Sequence, residues 1–599
     1  MTIYANSRYL LDGDEDGFSS IMNDLSNLKN FGVASNIYGA AGSNHVFTDG
    51  ENGLATVMSC KITIGTLHTN PGTLSSIAGG TLNTASGACS FIGGGSQNNI
   101  SNFSPHSSIV GGCLNYSIGN NNFIGGGIQN ETSGSCTFIG SGDRNRINST
   151  GLESVIVGGV LNRNQDSCSF IGGGSTNCIL NSSDGLGWAF IGGGFLNCTN
   201  GSGAVVVGGR QNSITGNCSF IGGGQQNNNA SGFYSTIAGG NCNYIEANAV
   251  TISGGQRNSG SFDYATVGGG FTNHALNLFS TIGGGRDNLN QSCWGTIAGG
   301  IGNKTQNGGT HGAVIGGGGN NIISGSGFNT IAGGCLNYNR GCHNFIGGGN
   351  FNCIGASNDP SNCASTIAGG VANIICGCTS TANICQGNFI GGGYSNHVKF
   401  GQYSSITGGS SNCSINSFNT IGGGNSNVAT AYCSVIAGGT TNGITGGILN
   451  TNNTIGGGKL NCIKSTEAFS IIAGGCENQI GDASGTCKGN FIGGGIGNQL
   501  IFGGNSSIVG GLNNRMVGGI NTGCSFIGGG EGNQNSSCLS FTGGGQNNCV
   551  DCCSAWAVLV GGRSNIMSGS SHSVIAGGYR NTSSVAYGSI GGGQFNCMT

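Results

Sequence analysis

The side chains best able to do chemistry in this 599-residue sequence are its 28 cysteines, its eight histidines and one acidic run near the N-terminus. The run, Asp12-Gly-Asp-Glu-Asp-Gly17, sets Asp12, Asp14 and Asp16 at alternate positions, as in the opening of an oxygen-ligand calcium loop. The twelfth position of that loop is Asn23, where a bidentate Glu is required. A solvated acidic stretch is the preferred reading and calcium the weaker candidate; no other metal and no cofactor is expected. The histidines (45, 68, 106, 274, 311, 343, 397, 572) form no metal-spaced group. Asp and Glu are too sparse to suggest paired catalytic carboxylates. The Gly-Gly-Gly segments lack the Lys-Ser/Thr of a phosphate loop. These observations predict a protein that is not an enzyme.

The cysteines fall into a pattern. Cys89, Cys136, Cys168, Cys218, Cys433 and Cys524 stand three residues before a β-branched anchor, and Cys178, Cys198, Cys353, Cys413, Cys462, Cys549 and Cys597 stand seven after one. In those slots Cys alternates with Tyr, Phe, Asn or Gln, as one tolerated side chain among several, so free thiols are expected. Cys178 and Cys198 occupy equivalent slots in consecutive repeats, within disulfide reach. Cys549 and Cys552 form a Cys-x-x-Cys with no second pair nearby.

What positions these residues is a repeat. From Ile77 to Asn596 the chain carries 32 copies of a Ser-rich approach, an anchor (Ile in most), a small residue, two glycines, two variable residues and Asn. Ser90-Phe-Ile-Gly-Gly-Gly-Ser-Gln-Asn98 is one copy. Of the 31 steps between anchors, 15 are 15 residues long; none is shorter and the longest is 23. A fixed minimum with additions only is the signature of a coil that must close, its extras leaving as loops. The expected fold is all-β, a parallel β-solenoid of about 32 coils over residues 71–599, preceded by a non-repeat region, 1–70. Gly is 128 of 599 residues but Pro only 3, which excludes collagen.

Within one coil, numbered from the anchor at 0, two short strands and two tight turns are expected. Ile77, Ile92, Ile109, Ile171, Ile221 and Ile346 are read as core anchors facing apolar residues at +8, such as Ile100 and Ile179. The strand admits a one-residue slip that would turn Ile outward; Ile inside is the reading adopted. Asn83, Asn98, Asn115, Asn177 and Asn227, at +6, are read as turn residues tolerant of the left-handed conformation and able to stack in a hydrogen-bonded ladder. Phe at −1 is followed by Gly at +1: Phe91 with Gly93, Phe170 with Gly172, Phe220 with Gly222, Phe345 with Gly347. Such volume compensation is expected on a packed face, so these phenylalanines are assigned to an interface between copies of the chain.

The motif is similar to the head repeats of trimeric autotransporter adhesins: Ser75-Ser-Ile-Ala-Gly-Gly-Thr-Leu-Asn83 and Ser107-Ser-Ile-Val-Gly-Gly-Cys-Leu-Asn115 share their rhythm. It also resembles Gly-rich repeats of phage and large-virus structural proteins. The resemblance covers about 520 residues and implies a homotrimeric fibre or adhesin, with a tail fibre on a virion the closer fit.

Net charge is −3 and no basic stripe exists, so nucleic acid is not expected as a partner. No apolar run reaches the ~20 residues of a membrane span. The N-terminal residues lack the features of a secretory signal, which predicts cytoplasmic synthesis even for a chain working on a virion or outside a cell. Phe18, Ile21, Leu25 and Leu28 make a short apolar seam within residues 1–70, either a trimerising helix or attachment plug or a cover for the first coil. Recognition of a glycan or protein receptor is assigned to the insertions at 353–365, 374–388, 443–453 and 480–490 and to the shorter one around Trp188. Trp294 and Trp556, three before an anchor, are read as packing at the interface between copies, with recognition by sugar stacking as the alternative. A filament growing by end-to-end stacking is the alternative. An ice-binding face on Thr236, Thr251, Thr266, Thr281 and Thr296 is a lesser one.

Overall fold

A computed structural model describes residues 62–599, apart from 183, 307–310, 356–361, 377–385, 447–451, 465–468, 482–488, 502–503 and 518–522. Asp12, Asp14, Asp16 and the Phe18–Leu28 seam lie outside the described residues, as do the centres of the longest insertions. The chain divides into two units, Met1–Asn248 and Ala249–Thr599. Each is a parallel β-solenoid, as the repeat predicts; together they make about 30 turns with a repeat of about 16 residues and, among the described residues, no helix.

A coil from the first unit shows the construction. Phe91–Ile92 pairs in parallel with Ser76–Ile77 below and Ser108–Ile109 above, so anchor lies on anchor. A single bridge at +4 joins Thr81 to Ser96 and Ser96 to Cys113. The second strand, Asn99–Ile100, pairs with Thr84–Ala85 and Tyr116–Ser117. In this unit each strand is two residues long because the chain must turn twice per coil; in the second unit several second strands, such as Ile374–Cys376 and His397–Lys399, run to three. The second unit repeats this from Thr251–Ile252 to Ser589–Ile590.

The turns come from three left-handed positions per coil, at +3, +5 and −3: Gly95 (φ 89), Gln97 (φ 57) and His106 (φ 58) in one coil. A Cβ on Gly95 would overlap the Gly112 carbonyl oxygen and lie 2.7 Å from Asn98 Nδ2, so glycine is compulsory there. The +6 Asn is not the left-handed residue; the variable residue before it is.

The interior is narrow and half polar. Ile77, Ile92, Ile109, Ile171, Ile221 and Ile346 have no exposed surface, nor do Ile100 and Ile179 at +8. Fully burying an Ile contributes about 1.5–3 kcal/mol before entropy. Beside them run the buried +6 asparagines, and Asn83, Asn98, Asn115, Asn177 and Asn227 are all fully enclosed. Asn98 Nδ2 donates to Gly94 O and Gly112 O (both 2.9 Å), while its Oδ1 accepts from the backbone N–H of Asn115 (3.0 Å). One side chain thus satisfies turn carbonyls of two coils and a backbone donor of the next.

The coil is also a near-duplicate of itself. The −2 slot, on the opposite turn, does what +6 does: Asn122 Nδ2 donates to Ile118 O (2.9 Å) and Gly134 O (2.8 Å), and its Oδ1 accepts from Thr137 N–H (3.1 Å). In other coils a Ser fills this slot, as when Ser107 Oγ accepts from Asn122 N–H at 3.1 Å.

The earliest described rung is Ile62–Thr63, paired with Ser76–Ile77, so the repeat starts ahead of residue 71. This coil takes 14 residues, with Thr63 as anchor and one corner glycine, Gly65, in place of two. His68 stands in the Asn slot and accepts from Asn83 N–H through Nδ1 at 3.1 Å.

Candidate functional site

Two outward faces flank the core, and their chemistry differs. On the second strand the outward residue is +7, and this column carries Glu131, Arg146, Arg163, Lys304 and Arg515, with His274 and His397. Arg146 pairs with Glu131 at 3.2 Å along it. On the first strand the outward residues are −1 and +1. Through all 32 coils from Ile77 to Ile590, −1 is Phe, Thr, Val, Ser or Ile and +1 is Gly, Ala, Val, Ser or Thr. No charge and no amide occurs there. Depletion of charge marks the cores of protein interfaces.

The phenylalanines lie on this face and remain partly open in the single chain: Phe91, Phe220 and Phe345 are 40%, 38% and 41% exposed, and Phe170 is half-buried. The Phe–Gly exchange has a cause within the chain. A Cβ on Gly93 would overlap Val110 O of the next coil and lie 3.4 Å from Phe91 Cε1, and one on Gly222 would overlap Ala238 O and lie 3.2 Å from Phe220 Cε1. Each ring therefore lies over the glycine of its own strand. The exchange is met without a second chain, and the case for an interface passes to the missing charge and the open apolar surface.

The face also has a pattern along its length. In the first unit Val110, Val157 and Val207 fill +1 at every third coil, separated by the Phe pairs Phe123–Phe138 and Phe170–Phe190. These pairs stack with ring centroids 5.2 and 5.3 Å apart and planes within 5°. In the second unit Phe491, Val509, the stacked pair Phe526–Phe541 (5.2 Å) and Val560 repeat the order set by Phe91, Val110, Phe123–Phe138 and Val157. Reading −1 and +1 as successive pairs along the sequence would have exposed it. The early coils of the second unit instead carry Thr251, Thr266, Thr281 and Thr296 in register, a column that ends at Val314.

Trp188, Trp294 and Trp556 sit at −3, a left-handed corner (φ 67, 53 and 59), and are 67%, 56% and 55% exposed. They lie off the strand that bears the phenylalanines. Tyr264, Phe279 and Trp294 stack at 4.8 and 6.2 Å and His311 follows Trp294 at 5.8 Å; Trp556, His572 and Tyr587 stack at 6.1 and 5.0 Å. In these stacks each ring faces its neighbours on adjacent coils, whereas Trp188 joins no ring stack among the described residues.

Among the described residues no group of three or more His, Cys, Asp or Glu side chains could hold a metal. Burial lowers the His274 and His397 pKa values and raises the Cys353 thiol to about 11. One cysteine pair, Cys342–Cys363, closes a disulfide between consecutive coils, with Cα atoms 4.7 Å apart; its sequence signal is that both stand four before an anchor. No helix among the described residues is long and apolar enough to cross a membrane. No protein-family model matches the chain, and no curated protein does either.

Proposed function

We propose that this chain is a structural, non-enzymatic fibre protein that associates with copies of itself through the −1/+1 face. The observation carrying the reading is the absence of charge and amide from that face in every coil, against a charged +7 face. Taking ~200 Å² per Phe, the side chains from Phe91 to Phe220 expose on the order of 600 Å². That reaches the top of the ~300–600 Å² of the largest patch on a typical monomer and approaches the ~800 Å² per partner of a standard interface. A second copy presents the same inter-strand spacing of about 4.8 Å, so rings and valines can interlock rung for rung.

The finer parts of the proposal are three copies per fibre, a place on a virion or outside the cell, and receptor recognition by the insertions. They draw on the resemblance of the repeat and on the insertions' position between coils. The test is Phe138→Asp/Phe170→Asp, in negatively stained micrographs and by circular dichroism. Discrete rods from the parent chain, thinner single-chain rods from the variant and equal β-content in both support the proposal. Unchanged rods from the variant would overturn the face assignment. Indefinite polymers from the parent chain would favour a filament.

A further inference from the structure

Only two cysteine pairs among the described residues face each other on consecutive coils: Cys342 with Cys363, and Cys178 with Cys198. The first is a disulfide. We infer that Cys178 and Cys198 are the site of a second inter-coil disulfide, closing the coil that carries the Trp188 insertion.

The two sites share three features. In each, the cysteines are direct partners across a parallel pairing; Cα atoms of such partners are within the ~4.4–6.8 Å that a disulfide spans. In each, the pair brackets a long coil, 20 residues from Ile171 to Ile191 and 21 from Ile346 to Ile367. In each, the adjoining interior is polar where Ile usually stands. Asn164 and Thr199 occupy +8 near the first pair and Asn339 near the second. Thr199 Oγ1, Asp166 Oδ2, Asn339 Oδ1 and both amide atoms of Asn362 are buried without a partner among the described residues. Both cysteine pairs thus border coils whose interior holds unpartnered polar groups.

The chemistry is poised. A hydrogen bond between the two thiols raises the Cys178 pKa and lowers that of Cys198, making Cys198 the attacking thiolate. With a small-molecule disulfide such as oxidised glutathione as oxidant, Cys198 displaces one glutathione thiol and forms a mixed disulfide. Cys178, losing its proton, then displaces the second. Two protein S–H bonds become one S–S bond, and the oxidant takes up two electrons and two protons as two thiols.

The experiment treats the full chain with oxidised glutathione, blocks remaining thiols with iodoacetamide and nicks the insertion with chymotrypsin at exposed Leu186 and Trp188. The expected result is a nicked chain that stays whole on a non-reducing gel and splits with reductant, and a linked Cys178–Cys198 peptide about 2 Da lighter than its two thiol peptides together. The Cys198→Ser variant, with wild-type circular dichroism, should split without reductant. Alkylated or singly glutathionylated Cys178 and Cys198 in a sample where Cys342–Cys363 is linked would overturn the inference. So would a parent chain that splits without reductant.

Discussion

Asn98 Oδ1 accepts two hydrogen bonds from Asn115 on the next coil, one from its backbone N–H and one from its Nδ2, each at 3.0 Å. The same relationship, backbone N–H onto the preceding Oδ1, recurs from Asn115 to Asn130 and from Asn130 to Asn145 at 3.0 Å. A buried amide column thus fixes the axial register that two-residue strands fix only weakly.

Asn115→Ala removes the donor to Gly111 O and Gly127 O and the acceptor for Asn130 N–H, all inside the coil. Leaving such groups buried and unpaired should cost about 2–4 kcal/mol. Asn115→Asp should cost more, because a buried carboxylate would face those carbonyl oxygens. Urea unfolding followed by circular dichroism reads both; an Ala variant as stable as the parent chain would refute the column's role.

The two corner glycines should differ sharply. Gly95 has φ 89 and its Cβ would overlap a neighbouring carbonyl, whereas a Cβ on Gly94 would meet nothing within 4 Å. Gly95→Ala should cost about 2 kcal/mol or more. Gly94→Ala should stay within about 0.5 kcal/mol of the parent chain. Equal effects of the two would contradict the turn geometry.

Acid should weaken the second unit through His274. Burial lowers its pKa below 6.5, against an opposing pull from Asp287, and its Nδ1 lies 2.7 Å from Ser259 Oγ. A histidine whose folded value is depressed binds its proton more readily when unfolded. Its contribution is therefore complete above pH ~6.5 and is lost as pH falls from there through the folded value. His274→Gln should flatten stability against pH in that window; an unchanged profile would show that the group is not coupled to folding.

The period, the Gly corner, the Ile anchors and their +8 partners can be read from residue types alone, because burial in a narrow coil admits few side chains there. The −2 slot could not, since Ser107 and Asn122 do the same work with different volumes: each donates to a turn carbonyl of the next coil and accepts from a backbone N–H there. Nor could the left-handed positions at +5 and −3. Gln97, Leu114, Phe279 and Trp294 hold them with φ between 53 and 60, and none of these types signals positive φ. The coil at Thr63 hides its membership by losing one glycine and exchanging Asn for His68. The Phe–Gly exchange was legible, but the crowding at its glycine comes from the Phe ring and a carbonyl of the next coil, both within one chain.

The claim that the −1/+1 face is an interface between copies meets its most direct test in sedimentation velocity across a range of concentrations. One discrete species of several chains is expected, and a single 59.3 kDa chain for Phe138→Asp/Phe170→Asp. A parent chain that sediments at 59.3 kDa at every concentration, its phenylalanine strip open to water, would contradict it.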